Sequence, residues 1–279
     1  MAFLKIIGIC FLIYGFAVSM IWLMQEHIAF PAPRRALPDP ANAGIDNAER
    51  IAVTTSDGVE LFGWYLHPDP VPESSLERAP ALIWFYGNFE TVGVMAPVIR
   101  SLRPPGWGVL VLDIRGYGES GGKASEDGFY LDANAAWDFL IARPEIDSSR
   151  IVVYGRSLGT ALATHLGSSR PVAGVILEAP FTNGTGMARA HYSWIPPFTV
   201  RLRLDNLDRV KSIRAPLLVL HGADDTIVPL KMGRAIAEAG NATSFEVFEN
   251  AGHNDYLLGD QDRFHDVWTA FLTSVAYPE

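Results

Sequence analysis

The sequence predicts an α/β protein: a mostly parallel, doubly wound sheet with helices on both faces. Three observations predict it. Short apolar runs, each the length of a fully buried strand, recur along the chain. Segments with helical periodicity lie between them, and strands alternating with helices imply a parallel sheet. Ahead of this alternation stands a turn-linked pair of alternating segments, the pattern of an antiparallel edge.

The chain begins with an apolar segment, Ile6 to Met24, whose 19 residues contain no charge. As a helix it is ~28 Å long at ~1.5 Å per residue, close to the ~30 Å hydrocarbon core of a bilayer. It lacks the polar face of a surface helix. Lys5 and Ala17-Val18-Ser19 also fit the basic region and cleavage site of a signal peptide. The apolar run continues past that site through Ile21, Trp22, Leu23 and Met24, which favours a retained membrane anchor. Lys5 on one side and Arg34 and Arg35 on the other leave its orientation open. The stretch from Pro31 to Pro40 reads as a stiff spacer.

Ile51–Thr55 and Glu60–Leu66, joined through Ser56-Asp57-Gly58, form the expected hairpin. The buried strands follow at Ala81–Tyr86, Val109–Asp113, Ile151–Tyr154, Gly174–Leu177 and Leu217–Leu220, with another at Ser244–Phe248. Helices are expected over Val92–Leu102, Glu126–Ala142, Leu158–Ser168, Lys231–Ala239 and Asp255–Ala276. Phe181–Arg214, rich in aromatics and proline, interrupts the alternation. It should lie over the strand ends, where open α/β sheets bind ligands.

The whole chain narrows the functional classes. Its 279 residues are 49% hydrophobic and 19% charged, which supports a large core and excludes general disorder. The formal charge of -9, without basic clusters, argues against nucleic acid as a partner. Cys10 is the one cysteine, so a single chain can hold neither a disulfide nor a cysteine-based zinc site.

Ser157 lies in Gly155-Arg156-Ser157-Leu158-Gly159, where a strand becomes a helix. A sharp turn there lifts a hydroxyl clear of the sheet, and the glycines allow the close approach it needs. The Leu158 N–H then faces any oxyanion formed at Ser157. The loop after Ala81–Tyr86 offers a second donor in the Asn88 N–H.

A serine hydroxyl needs a base. Of seven histidines, His253 lies in a loop at the carboxyl end of the last strand, on the edge where Ser157 lies. His165 would point along its helix, and His221 reads as a turn support. His27, His67, His191 and His265 read as surface or packing residues. The orienting carboxylate is sought after strand Leu217–Leu220, at Asp224 or Asp225. Asp225 is preferred, with Asp224 a capping group and Glu178 a weaker alternative. Phe89, Trp194 and Phe198 are candidates for the substrate pocket, although Trp194 and Phe198 would serve equally to pack the insertion down. Asp113 and Arg115 look site-like but read as loop-shaping residues, and Arg156 either steers substrate or braces the turn.

Taken together these residues resemble the α/β-hydrolase superfamily, and within it the membrane-anchored branch of the Bem46, ABHD13 and ABHD17 type. The resemblance runs from about Phe30 to Phe271. It rests on Asp57-Gly58, Leu61-Phe62-Gly63-Trp64-Tyr65, Tyr86-Gly87-Asn88 and Asp113-Ile114-Arg115-Gly116-Tyr117-Gly118-Glu119-Ser120. It continues through the serine turn, Tyr192-Ser193-Trp194, His221-Gly222 with Asp225, and Gly252-His253. The chain order Ser157, Asp225, His253 is the α/β-hydrolase order.

The resemblance implies an anchor over 1–28, a proline-rich spacer over 29–48 and an α/β-hydrolase domain over 49–279, with 181–214 as a short cap. It implies a serine hydrolase acting on a lipid-like or small acyl ester or thioester, with no metal or organic cofactor. A serine peptidase of the same fold and a non-catalytic, membrane-tethered scaffold are the alternatives. Two departures stand out. The family has His-Gly-Asn where this chain has Tyr86-Gly87-Asn88, and a small residue where Phe89 stands. The second suggests that Phe89 narrows or lines the acyl pocket.

Overall fold

The computed structural model describes residues 2–69, 78–255 and 259–277. Eight strands form one sheet: β1 (Ala48–Thr54), β2 (Glu60–Leu66), β3 (Ala79–Phe85), β4 (Gly108–Leu112), β5 (Ile146–Arg156), β6 (Gly174–Glu178), β7 (Leu217–Gly222) and β8 (Ser244–Phe248). Their spatial order is β1-β2-β4-β3-β5-β6-β7-β8. β1 and β2 pair antiparallel, as does β2 with β4, and all later pairs are parallel. The leading hairpin is thus the antiparallel edge that the sequence predicts.

From β3 the chain runs outward to β4, then returns across β3 to β5 and proceeds the other way. The connection reverses direction between β3 and β5, and such a reversal opens a crevice at the carboxyl ends of the strands. The strands flanking it are apolar where they meet, β3 along its whole length and β5 from Ile151 to Gly155. β3 reads Ala-Pro-Ala-Leu-Ile-Trp-Phe with every residue buried, and Trp84 packs edge-on against Tyr154 of β5 at 4.6 Å between ring centres. Complete burial on both faces explains their runs without alternation.

Among the described residues the helices are α1 (Ala2–Ala29), α2 (Val92–Leu102), α3 (Glu126–Ile141), α4 (Gly159–Ser169), α5 (Gly184–His191), α6 (Asn206–Val210), α7 (Leu230–Ala239) and α8 (Gln261–Ala276). Local chemistry sets several starts. Ser125 Oγ accepts from the Gly128 N–H at the head of α3, and Asn183 Oδ1 accepts from Gly186 N–H at the head of α5. Asp260 caps α8 in the same way. The last helix therefore begins at Gln261, where a cap is available, later than the Asp255 start expected from periodicity. Part of that expected span, 256–258, lies outside the described residues.

Residues 29–48 correct the spacer reading, because they are packed onto the sheet edge. Phe30, Leu37 and Ile45 are buried in the core. The Trp64 indole N–H donates to the Pro38 carbonyl at 3.0 Å, and the Gly118 N–H donates to the Pro33 carbonyl at 2.8 Å. Proline supplies carbonyls but no N–H, so such a segment is well suited to being held from one side by side-chain and loop donors. The segment is a strap along the domain.

β5 and α4 meet at very short range. A Cβ on Gly155 would run into the Gly159 carbonyl, and one on Gly159 into the Phe85 carbonyl oxygen. Both obstacles are backbone and cannot rotate away. Gly159→Ala is therefore expected to destabilise the fold by about 3 kcal/mol, the upper range for forcing a methyl into a packed site. A thermal melt should show a drop of roughly 6–12 °C, and an unchanged melting temperature would contradict the packing described.

Candidate active site

Ser157 is the first residue past β5. Its φ is +50°, in the left-handed region that residues with a Cβ rarely occupy. The Ser157 N–H donates to the Glu178 carbonyl at 2.9 Å, and Thr160 returns a bond to the Ser157 carbonyl. The strained turn is thereby fixed from both sides and the hydroxyl projects beyond the sheet.

His253 Nε2 lies 3.1 Å from Ser157 Oγ, and His253 Nδ1 lies 2.7 Å from Asp225 Oδ2. The other carboxylate oxygen, Asp225 Oδ1, accepts the N–H groups of Ile227 at 2.8 Å and Val228 at 2.7 Å. Burial pushes the Asp225 carboxyl upward, but the hydrogen bond and charge of His253 outweigh it and hold it below its ordinary range. An ionised Asp225 accepts only, so the proton at their junction sits on Nδ1 and the Nε2 lone pair faces the serine. Of the two candidate aspartates, Asp225 makes this contact. Glu178 is occupied elsewhere, by Arg156 and the Tyr154 hydroxyl.

His221 is fully buried beside this chain of bonds, 3.5 Å from Asp225 Oδ2. Its Nε2 lies 2.8 Å from the Val228 carbonyl, which accepts only, so Nε2 carries the proton. Burial lowers its pKa and keeps it neutral. A neutral His221 supports the turn, as its sequence position suggests, without competing with His253 for the charge of Asp225.

Asn88 sits in the loop after β3. Its side-chain N–H donates to the Ala29 carbonyl at 2.7 Å, and its Oδ1 accepts from the Tyr117 hydroxyl. Its own backbone N–H and that of Leu158 have no protein acceptor among the described residues. A Cβ on the preceding Gly87 would lie 3.3 Å from Ser157 Cβ, so this loop touches the serine turn.

Arg156 settles as a brace. Its Nε donates to Glu178 at 2.7 Å, one terminal nitrogen pairs with Glu90, and the other donates to the His253 carbonyl at 2.9 Å and to the Asn254 side chain. One buried guanidinium thus joins the loop after β3, the end of β6 and the loop after β8. The residue type was visible in the sequence, but its partners are far apart in the chain.

A cavity of about 960 Å³ opens at the serine, its lining mostly apolar. Phe89 and Trp194 line it, as expected. Phe198 does not: it stands on a 3-10 turn, Pro197–Thr199, with 89% of its surface exposed. Its aromatic character suggested a pocket, but the two prolines before it turn the ring outward. The structure adds a wall absent from the sequence reading. Ile21, Gln25 and Ile28 of α1 line the same cavity as Ser157 and His253.

The departure at Tyr86 is compensated locally. Its hydroxyl donates to Asp113 Oδ1 at 2.6 Å, which also accepts the Val92 N–H at 2.8 Å. This pair holds both ends of the Asn88 loop, so Asp113 shapes the loop.

Comparisons with known proteins agree with this architecture. A family model described as serine aminopeptidase, S33, matches residues 77–206, and one described as alpha/beta hydrolase fold matches 181–260. The chain is 31% identical to the α/β-hydrolase domain-containing protein WAV2 of Arabidopsis thaliana, over 95% of this chain and 94% of that one. It is 29% identical to protein Bem46 of Schizosaccharomyces pombe, over 88% and 85%. A Pyrococcus furiosus esterase superposes with a TM-score of 0.69 at 25% identity, over 87% of this chain and 98% of that one.

Asp113 supplies a test of the loop. Burial pushes its carboxyl up to about 6 from 3.8, more than the bonds from Tyr86 and Val92 pull it down. A raised carboxyl pKa contributes stability that is complete below about pH 4 and lost as pH rises through 6. Between pH 3 and 7 the wild type should lose ~3 kcal/mol relative to Asp113→Asn, from roughly two pKa units at 1.36 kcal/mol each. Paired urea titrations at the two pH values measure this, and a constant difference would contradict it.

Proposed function

The chain belongs to the α/β-hydrolase family, in the branch that includes Bem46, and from that premise we propose that it is a serine hydrolase of carboxylic esters or thioesters. The observation that carries the proposal is the continuous bonded path Asp225–His253–Ser157, with the serine at the mouth of an apolar cavity. His253 takes the hydroxyl proton as Ser157 Oγ attacks the acyl carbon. The Asn88 and Leu158 amides stabilise the oxyanion, each worth ~2.7–4 kcal/mol if typical. The tetrahedral intermediate collapses, His253 protonates the departing alcohol or thiol, and the acyl group remains on Ser157. Water, deprotonated by His253, then attacks the acyl-enzyme and releases the acid.

A second reading, an aminopeptidase, has a specific support in the family model matched over 77–206. Such an enzyme needs a carboxylate in the cavity to hold the substrate's amino terminus. The cavity's acidic lining residues are Glu90 and Glu178, and both are paired with Arg156. That pairing favours a neutral acyl substrate. The apolar helix α1 supports membrane attachment, since Phe3–Ala29 is long and apolar enough to cross a bilayer.

The expected outcome is covalent labelling of the wild type by a fluorophosphonate, lost in Ser157→Ala. Asp225→Asn should lower kcat about 10⁴-fold on p-nitrophenyl butyrate, because the imidazole loses its orienting carboxylate. An unlabelled wild type, or faster turnover of aminoacyl p-nitroanilides than of esters, would overturn the assignment.

A further inference from the structure

Helix α1 is built into the domain. One of its faces, Ala17, Ile21, Gln25 and Ala29, recurs every four residues and is at least partly covered, with Val18 and Glu26 half-buried beside it, while the helix before Ala17 is exposed over residues 3–16. Gln25 is buried and uses both ends of its amide. Its Nε2 donates to the Thr199 carbonyl at 2.7 Å and its Oε1 accepts the Arg201 N–H at 2.7 Å. The Tyr14 hydroxyl donates to the Trp194 carbonyl at 2.9 Å, and the Arg201 guanidinium lies 4.5 Å from the Trp22 ring centre. These contacts run from position 14 to position 25, about 16 Å along the helix.

That length carries a consequence. Ile6–Met24 is the apolar part of α1. A cap clamped along its second half cannot stand in water while that half lies in lipid. The cap's surface suits immersion. Phe198 is 89% exposed and Trp194 51% exposed, and aromatic rings favour the membrane interface. Much of its backbone is satisfied internally, as lipid requires: the N–H groups of Ile195, Thr199, Val200 and Arg201 are bonded, and Pro196 and Pro197 have none. Arg201, on a long stem, can keep its charge at the headgroup level.

We propose that the second half of α1 and the cap enclose an acyl channel that opens within the bilayer. Its substrate is a long-chain acyl ester of a membrane lipid, and the acyl chain lies against Ile21 and Ile28. The proposal rests on the serine-hydrolase and membrane-anchor readings above. Ile21 from the helix and Trp194 and Ile195 from the cap line one cavity with Ser157, so the seam between helix and cap leads to the nucleophile. A lipid acyl chain entering there reaches the serine without crossing water.

The test uses the full chain in phosphatidylcholine vesicles. Ile21→Trp should lower the ratio of kcat/KM for p-nitrophenyl palmitate over butyrate at least tenfold relative to wild type. An unchanged ratio in protein whose Ser157 still takes up a fluorophosphonate overturns the channel and leaves the serine-hydrolase reading intact. Failure of the wild type to label overturns that reading instead. Depth is measured separately, because Cys10 is the one cysteine. Phe198→Cys in a Cys10→Ser background, carrying an environment-sensitive fluorophore, should be quenched by doxyl-labelled lipid and shielded from iodide. Quenching by iodide alone overturns immersion even if Ile21→Trp fails to fold. Faster turnover of a water-soluble S-acylated peptide than of vesicle-embedded p-nitrophenyl palmitate also overturns the lipid assignment.

Discussion

The site depends on one buried guanidinium. Arg156 stands directly before Ser157, and its nitrogens reach Glu178, Glu90 and the His253 loop. Burying a guanidinium costs several kcal/mol, and the cost is recovered only when its donors meet good acceptors. The recovery here requires three loops to hold one arrangement. The loop after β3 brings Asn88, the end of β6 brings the carbonyl that receives the Ser157 N–H, and the loop after β8 brings His253. Ser157 at φ +50° is in an uncommon conformation, and it persists because the surrounding bonds over-determine it. Arg156 therefore couples the strain at the serine to the position of His253.

The same bonds shape the electrostatics of the cavity. Glu90 and Glu178 would otherwise present two negative charges beside Ser157 and oppose an oxyanion. Pairing both with Arg156 cancels one of those two charges and weakens the opposition, while Asp225 is left to balance the imidazolium. His221, neutral and 3.5 Å from Asp225, keeps out a competing positive charge. The division of labour follows from burial and hydrogen bonding, and it explains why six acidic or basic groups near one serine do not quench one another.

Much of this was legible in the sequence, for a physical reason. The serine turn is specified by residues within five positions, Gly155 to Gly159, and local sterics are readable from local sequence. His253 and Asp225 were legible because each follows a predicted strand, and strand ends in a parallel sheet share one edge. What was not legible depends on distant partners. Phe198 was assigned to the pocket by its chemistry, and only the local turn after Pro196-Pro197 shows that its ring faces out. The proline-rich stretch looked like a free spacer, because its acceptors at Pro33 and Pro38 are matched by donors at Gly118 and Trp64. Arg156 could not be placed until Glu90 and the His253 loop were brought beside it.

The apolar amino-terminal run was the most readily recognised segment and the most incompletely understood. Composition gives its length and nothing of its contacts. Gln25, the first polar residue after that run, is where the distinction lies. An anchor that merely tethers has no use for a buried amide, since a polar group on a lipid-facing helix is a cost. In this chain both ends of that amide are matched to cap backbone, and four residues on, the Ala29 carbonyl receives the Asn88 side chain. A helix bonded at one point to the cap and at another to the Asn88 loop is part of the framework that shapes the cavity. Its removal would open the cavity wall and take one bond from Asn88, so the apolar helix and the domain it packs on form one folding unit.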